Sequence, residues 1–375
     1  MSTSKHINIA VVGKLELGGN ILSSEMAHIA SKFGDVISGD YLDKKNLPGR
    51  KELFHIVYST SNYECEHINA PFIVDNIVKM VYQADAIILL IDLVKGITNE
   101  ELIVLKYLHG NSIVQIIVVL VYNAANQLTV DLELIELAVL DAKENLREIG
   151  FEKIYSLTGM MPAESERIAA DLIEIIDRDL SARAYNPSEK VQMFIEKVYY
   201  VTDKGIKNAA VAYGYLHSGI ILPGMELKIC GLSDQSPEVR VRSVQIFGHE
   251  VNRCEPGRSV AILLERVPKN HIEPGQMLVP VSEKINLEKE LFVTINIPND
   301  LGEDPLVYFS SRQQFEVWFN MGKISGRWVE MTMKPDGKEL IAKIKLEKPV
   351  VVDMNKNFLV SVGNQLCVGN FILDI

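Results

Sequence analysis

Three segments in the first part of the chain are almost pure Ile, Val, Leu and Ala: Ile7 to Val12, Ala86 to Ile91 and Ile116 to Val121. Apolar runs of this length, interrupted only by Asn8, suit strands buried on both faces, as in a parallel sheet covered by helices. Around them, Asn76 to Ala84, Asn99 to Leu108, Leu132 to Ile149 and Ser165 to Leu180 repeat their apolar positions at helical spacing. The alternation predicts a doubly wound α/β domain.

The pattern changes after Ser181-Ala-Arg-Ala-Tyr-Asn-Pro-Ser188, a polar linker. Helical periodicity stops, and short alternating segments follow. They are punctuated by Leu222-Pro-Gly224, Glu255-Pro-Gly257, Glu273-Pro-Gly275 and Pro335-Asp-Gly337. Short strands at regular intervals with Pro-Gly turns predict β-barrels. A second break near Val281 to Leu287 divides this half in two. The expected organisation is an α/β domain over 1–185, a barrel over 186–283 and a barrel over 284–375, a reasonable partition for 375 residues.

Composition narrows the function. Hydrophobic residues make up 47% and charged residues 23%, and no long like-charged or low-complexity run occurs, so an ordered globular chain is expected. The formal charge of −11 disfavours non-specific nucleic-acid binding and DNA in particular, although a local basic patch can still serve one RNA. The four cysteines, Cys65, Cys230, Cys254 and Cys367, form no C-x-x-C pair, and the eight histidines are scattered, so no metal site is expected. Met1 to His6 lacks the apolar core of a signal peptide, and Ile113 to Tyr122 is too short to span a bilayer. A cytoplasmic protein without membrane contact is expected.

Residues Gly214-Tyr-Leu-His-Ser-Gly219-Ile-Ile-Leu-Pro-Gly224-Met-Glu-Leu-Lys-Ile-Cys-Gly231 run without a gap against a glycine-punctuated stretch of elongation factor Tu. Val244 to Phe247, Gly257 to Val260, Leu263-Leu264 and Ile272 to Leu278 continue the same register. Arg312-Gln-Gln-Phe315 and Gly363 to Gly369 are similar to motifs of that family's third domain. The chain therefore resembles the elongation factor Tu family over nearly its whole length. The resemblance implies a P-loop-GTPase-like α/β domain followed by two all-β barrels.

A P-loop reads G-x-x-x-x-G-K-[ST] between a strand and a helix, so that backbone N–H groups and a lysine hold phosphates and a hydroxyl holds Mg²⁺. The matching segment is Gly13-Lys14-Leu15-Glu16-Leu17-Gly18-Gly19-Asn20. Gly19 stands at the lysine position and Asn20 at the hydroxyl position. Glu16 adds a negative charge, and the direction of Lys14 is open. Without the resemblance, this segment reads as a tight strand-to-helix turn. The family's DCPGH motif aligns with Asn69-Ala-Pro71-Phe72-Ile73, and the threonine of its first switch aligns with Arg50. Its guanine-reading NKxD aligns with Asn123-Ala-Ala-Asn126, and Ser156-Leu-Thr158 resembles its serine loop. The changes fall on phosphate, metal and base contacts while strand positions stay apolar. A non-hydrolysing relative with no cofactor is expected, with GTP or GDP and Mg²⁺ entering only if an atypical site persists.

In the family the aminoacyl end of tRNA lies between the first and second domains. The resemblance places Glu196, Lys197 and Tyr199 there, within Ile195 to Tyr199, together with Ser259. Lys197 reverses the charge of the family's Asp. Tyr199 and its neighbour Tyr200 are candidates for stacking, although adjacent strand tyrosines ordinarily put one ring in the core. On the third domain Arg312, Lys323 and Arg327 are candidates for phosphates, whereas a basic pair of the family is replaced by Ser361 and Gln365. The partners expected are tRNA or the ribosome, or else a protein bound by a scaffold with no translation role. A third alternative is an active GTPase with an unusual site. A selenocysteine-type factor is less expected, since no further domain follows Ile375.

Overall fold

The computed structural model describes residues 5–32, 37–38, 54–113, 115–123, 132–201, 209–268, 271–298, 301 and 304–372. Two compact units divide at Ala184 and Tyr185.

The first unit carries β1 (Lys5–Gly13), a 3₁₀ turn (Leu15–Leu17), α1 (Gly19–Ala30), β2 (Ile37–Ser38), β3 (Phe54–Ser59), β4 (Tyr63–Pro71) and α2 (Val74–Gln83). It continues with β5 (Ala86–Asp92), α3 (Asn99–Gly110), β6 (Gln115–Asn123), α4 (Leu132–Ile149), β7 (Lys153–Met161) and α5 (Ser165–Asp179). The sheet order is β2-β3-β4-β1-β5-β6-β7. The strands from β4 to β7 in that order are parallel, and β2 and β3 run antiparallel at one edge. The three apolar runs are β1, β5 and β6, and the four periodic segments are α2 to α5. β3 and β4 follow a different logic, because their buried faces include His55, Glu66, His67 and Asn69.

On one side of this sheet Ile7, Ile9 and Val11 pack with Leu22 and Met26 of α1 and Ile168, Leu172 and Ile176 of α5. The hairpin between β3 and β4 is tied to that layer by Asp177. Its carboxylate accepts from Thr60 Oγ1 and from the N–H groups of Ser61 (3.1 Å) and Asn62 (3.3 Å). Hydrogen bonds to an ionised group are each worth more than neutral ones, but this site is partly solvated. Asp177→Ala is expected to cost about 2 kcal/mol in thermal unfolding, with Asp177→Asn in between. An unchanged midpoint would remove this role.

The second unit holds β8 (Gln192–Val201), β9 (Ala209–Ser218), β10 (Glu226–Cys230), β11 (Glu238–Ile246), β12 (His249–Val251), β13 (Arg258–Glu265) and β14 (Met277–Pro280). Their order is β10-β14-β8-β9-β13-β11-β12, and an additional β10–β11 pairing joins the strip back on itself. A closed barrel follows, β15-β18-β17-β16-β19-β20. It is made of β15 (Leu287–Asn296), β16 (Gln314–Phe319), β17 (Gly322–Met333), β18 (Glu339–Val351), β19 (Asn357–Val362) and β20 (Gln365–Phe371), with the short α6 (Pro305–Ser311) before β16. Among the described residues no helix is long and apolar enough to cross a membrane.

Candidate functional site

The loop from Gly13 to Gly19 joins β1 to α1, as the motif requires. A Cβ on Gly13 would lie 2.7 Å from Leu90 Cβ, and Gly18 has φ 81°, the left-handed region that glycine tolerates. Between them the chain winds into the 3₁₀ turn. Leu17 N donates to Lys14 O (3.0 Å) and Gly18 N to Leu15 O (3.4 Å). Leu17 is buried in the same cluster as Val11, Leu90 and Met161. A phosphate cradle needs its N–H groups converging on one point, and here two of them turn back into the loop.

Lys14, whose direction the sequence left open, turns to α3. Its Nζ is 3.6 Å from Glu101 Oε1. Glu101 is itself buried and closes the capping box of α3, accepting from Thr98 N and Thr98 Oγ1 (both 2.8 Å).

Asn20 and Asn69 meet directly: Asn69 Nδ2 donates to Asn20 Oδ1. Beneath them lies a buried polar chain absent from the sequence reading. Ser23 Oγ is 2.8 Å from Gly19 O and 2.9 Å from His67 Nε2, and His67 Nδ1 is 3.3 Å from Tyr58 Oη. If Ser23 donates to the carbonyl, His67 carries its proton on Nε2 and accepts from Tyr58, which is the neutral imidazole. Burial, and secondarily His55, push His67 down to about 3. The polar parity of His67 and Asn69 within a buried strand was the available signal. Next to them, Phe72 N donates to Gly13 O at 2.9 Å, so the N–H at the family's glycine position is held by backbone.

On the opposite face of the sheet, Glu66 is fully buried between two imidazoles. His55 Nδ1 is 2.7 Å from Oε1, and His6 Nε2 is 3.7 Å from Oε2. No group of three His, Cys, Asp or Glu among the described residues can hold a metal ion. Burial raises the Cys65 and Cys367 thiols to about 12, which keeps them protonated and unreactive.

Asn123 ends β6 opposite Met161. Its side chain, Asn126 and Arg50 lie outside the described residues. Ser156 is not in a loop. It lies within β7 opposite Val118 and is half-buried, because the strand continues to Met161. It is Met161 Cε that reaches the loop, 3.1 Å from where a Cβ on Gly18 would stand.

In the first barrel a bulge sits in β8 between Ile195 and Lys197, opposite Gly214 of β9. It inserts Glu196 and reverses the in-out alternation. Ile195 and Val198 therefore pack on the core, while Lys197 and Tyr199 face outward. Glu196 is buried, with Lys197 Nζ 3.9 Å from its Oε1. Tyr199 and Tyr200 are 51% and 47% exposed, so neither ring enters the core as strand alternation would predict. Both stay paired with β9, opposite Val211 and Ala210, and Tyr200 Oη donates to Ile272 O at 3.3 Å. Ser259 is buried, and its Oγ has no hydrogen-bond partner among the described residues.

In the second barrel Arg312 stacks on Tyr308, 3.7 Å from the ring centroid, and donates to Tyr308 O at 3.0 Å. Lys323 pairs with Glu316 at 2.9 Å. Arg327 lines a surface cavity of about 270 Å³ with Lys289, Lys345, Gln314 and Glu347.

An α/β unit with a strand–loop–helix at its P-loop position, followed by β-rich parts that include a closed six-stranded barrel, is the elongation-factor-Tu-like fold. No family model matches the chain. Among solved structures, translation elongation factor SelB from Methanococcus maripaludis, in complex with the GTP analogue GPPNHP, superposes with a TM-score of 0.71 at 15% identity. That match covers 100% of this chain and 80% of SelB. The apo form of the same factor gives 0.70 at 16%, covering 99% and 80%. A bacterial selenocysteine-specific elongation factor gives 0.68 at 19%, and this chain, covered to 98%, spans 57% of its length. The type set aside on length is thus among the structural neighbours, and at these identities the likeness is one of fold.

Proposed function

We infer that this protein is a translation-factor relative, built as three domains over 1–185, 186–283 and 284–375, that binds RNA (tRNA or the ribosome) without hydrolysing GTP. The direct Asn20–Asn69 pair carries the non-hydrolysing part. Two neutral amides satisfy each other at the positions the resemblance gives to Mg²⁺ ligands. Three further features support it: Lys14 is committed to Glu101, Leu17 fills the loop, and Phe72 N is bonded to Gly13 O. Phosphoryl transfer relies on positioning and charge stabilisation, and these residues supply little of either. GTP and GDP with Mg²⁺ do not fit the loop as it stands.

The RNA part rests on the second unit. The outward face of the first barrel carries Tyr199 with Lys197, and the cavity on the second gathers Lys289, Arg327 and Lys345. The first 184 residues hold 26 Asp and Glu against 16 Lys and Arg, whereas the rest is nearly neutral. A polyanion therefore meets less repulsion at the barrels.

Calorimetry with GDP and GTP, with and without Mg²⁺, is expected to show no binding, and charged or uncharged tRNA is expected to bind at low salt. Tight, Mg²⁺-dependent GDP binding would overturn the first part, and silence with both tRNAs the second. A protein-binding scaffold is the other reading, favoured by Leu137 and Leu140 of α4, which are 64% and 60% exposed.

A further inference from the structure

We propose that a cavity at the amino ends of β5, β6 and β7 binds a small dipolar ligand, one carrying both a carboxylate and an ammonium group as a free α-amino acid does. This goes beyond the RNA-binding reading and does not depend on it. The cavity measures about 300 Å³ and is lined by Asp85, Ser112, Gln115, Glu152, Lys153 and residues 181–183. Asp85 directly precedes β5, Gln115 opens β6 and Lys153 opens β7. The loop from Gly13 to Gly19 follows the carboxyl end of β1, and these four strands are parallel, so loop and cavity lie at opposite ends of the sheet. Ligands of open α/β sheets ordinarily sit outside the carboxyl ends, which makes this a separate site.

One wall of the cavity is fixed. Gln115 Nε2 donates to Ser181 O at 2.7 Å, and its Oε1 accepts from Ser181 N at 2.9 Å. Asp85 is withdrawn from solvent, and its Oδ2 accepts from Asn8 N at 2.9 Å. Arg183 Nη2 donates to Ala84 O at 3.0 Å, and its Nε stands 3.8 Å from Asp85 Oδ1. The guanidinium is thereby held in place, while its Nη1 makes no hydrogen bond among the described residues. A positioned guanidinium with spare N–H groups matches a carboxylate.

The opposite side has no such ties. The Ser112 hydroxyl and the side chains of Glu152 and Lys153 make no hydrogen bond or ion pair among the described residues, and all three residues are exposed. The lining thus holds two carboxylates, Asp85 and Glu152, against two cations, Lys153 and Arg183. A phosphate entering it meets both carboxylates, and a simple amine meets both cations. A ligand bearing both charges avoids either conflict. Its carboxylate faces Arg183 and Lys153, its ammonium faces Glu152, and the volume leaves room for a side chain.

The test is calorimetry on the full chain with L-leucine, with isocaproate, which lacks the ammonium, with isoamylamine, which lacks the carboxylate, and with inorganic phosphate. Leucine is expected to bind about tenfold tighter than any of the other three. Lys153→Gln should weaken leucine about tenfold and leave isoamylamine unchanged, whereas Glu152→Gln should weaken leucine to the same degree and leave isocaproate unchanged. Both substitutions fall at exposed positions, so the urea midpoint should stay that of the wild type. No heat with leucine, phosphate or either half-ligand binding as tightly as leucine, or a leucine affinity that survives both substitutions would overturn the proposal.

Discussion

Lowering the pH from 6.5 towards 4 is expected to strip the α/β unit of stability by up to about 1.4 kcal/mol per pH unit through His67 alone. The imidazole is buried and held near 3, against a usual 6.5. Unfolded chains take up this proton first, so between those values the unfolded state binds more protons and each step down in pH favours it. The contribution is complete above about 6.5, declines as pH falls and stops changing below about 3, an overall loss on the order of 5 kcal/mol. Protonation also turns Nδ1 into a donor facing Tyr58 Oη, and Nε2 already serves Ser23. The measurement is denaturant unfolding across this range, followed at 222 nm. Apart from the short α6 the helices lie in this unit, while Trp318 and Trp328 lie in the second barrel, so the two signals separate. His67→Gln keeps a donor and an acceptor but does not titrate. It should be less stable at neutral pH and flatter with acid. Equal slopes for the two proteins would discard the idea.

Replacing Gly214 by alanine is the second large effect. The added Cβ would sit 1.9 Å from Phe194 O, 2.9 Å from Phe194 C and 3.1 Å from Ile195 Cα. All three are backbone atoms of the neighbouring strand, so no rotamer change relieves the contact. Either β8 separates from β9 or the barrel fails to form, at a cost of about 3 kcal/mol or more. The same residue lies opposite the bulge between Ile195 and Lys197. Urea unfolding followed by near-ultraviolet dichroism reports this loss. A wild-type midpoint would show that the strand pair accommodates a methyl group.

Much of the architecture was present in one dimension. Ile7 to Val12, Ala86 to Ile91 and Ile116 to Val121 read as strands buried on both faces and are β1, β5 and β6, and the Pro-Gly turns read as punctuation between short strands. The glycines Gly13 and Gly18 that frame the loop, and the residues Gly19, Asn20, Asn69, Phe72 and Lys197 that the resemblance sets against family motifs, were likewise legible.

Placement was not legible, because it depends on partners distant in sequence. Lys14 had no direction until α3 brought Glu101 beside it. Asn20 and Asn69 became a pair only when parallel pairing set β4 alongside β1. Ser156 matched a loop motif yet lies inside β7, since hydrogen bonding along β6 carries that strand on to Met161. Alternation puts one of two adjacent strand tyrosines in the core, yet Tyr199 and Tyr200 are both about half exposed although both stay paired with β9. Composition and pattern thus determined the elements, whereas long-range pairing, which no local preference encodes, decided where each side chain points.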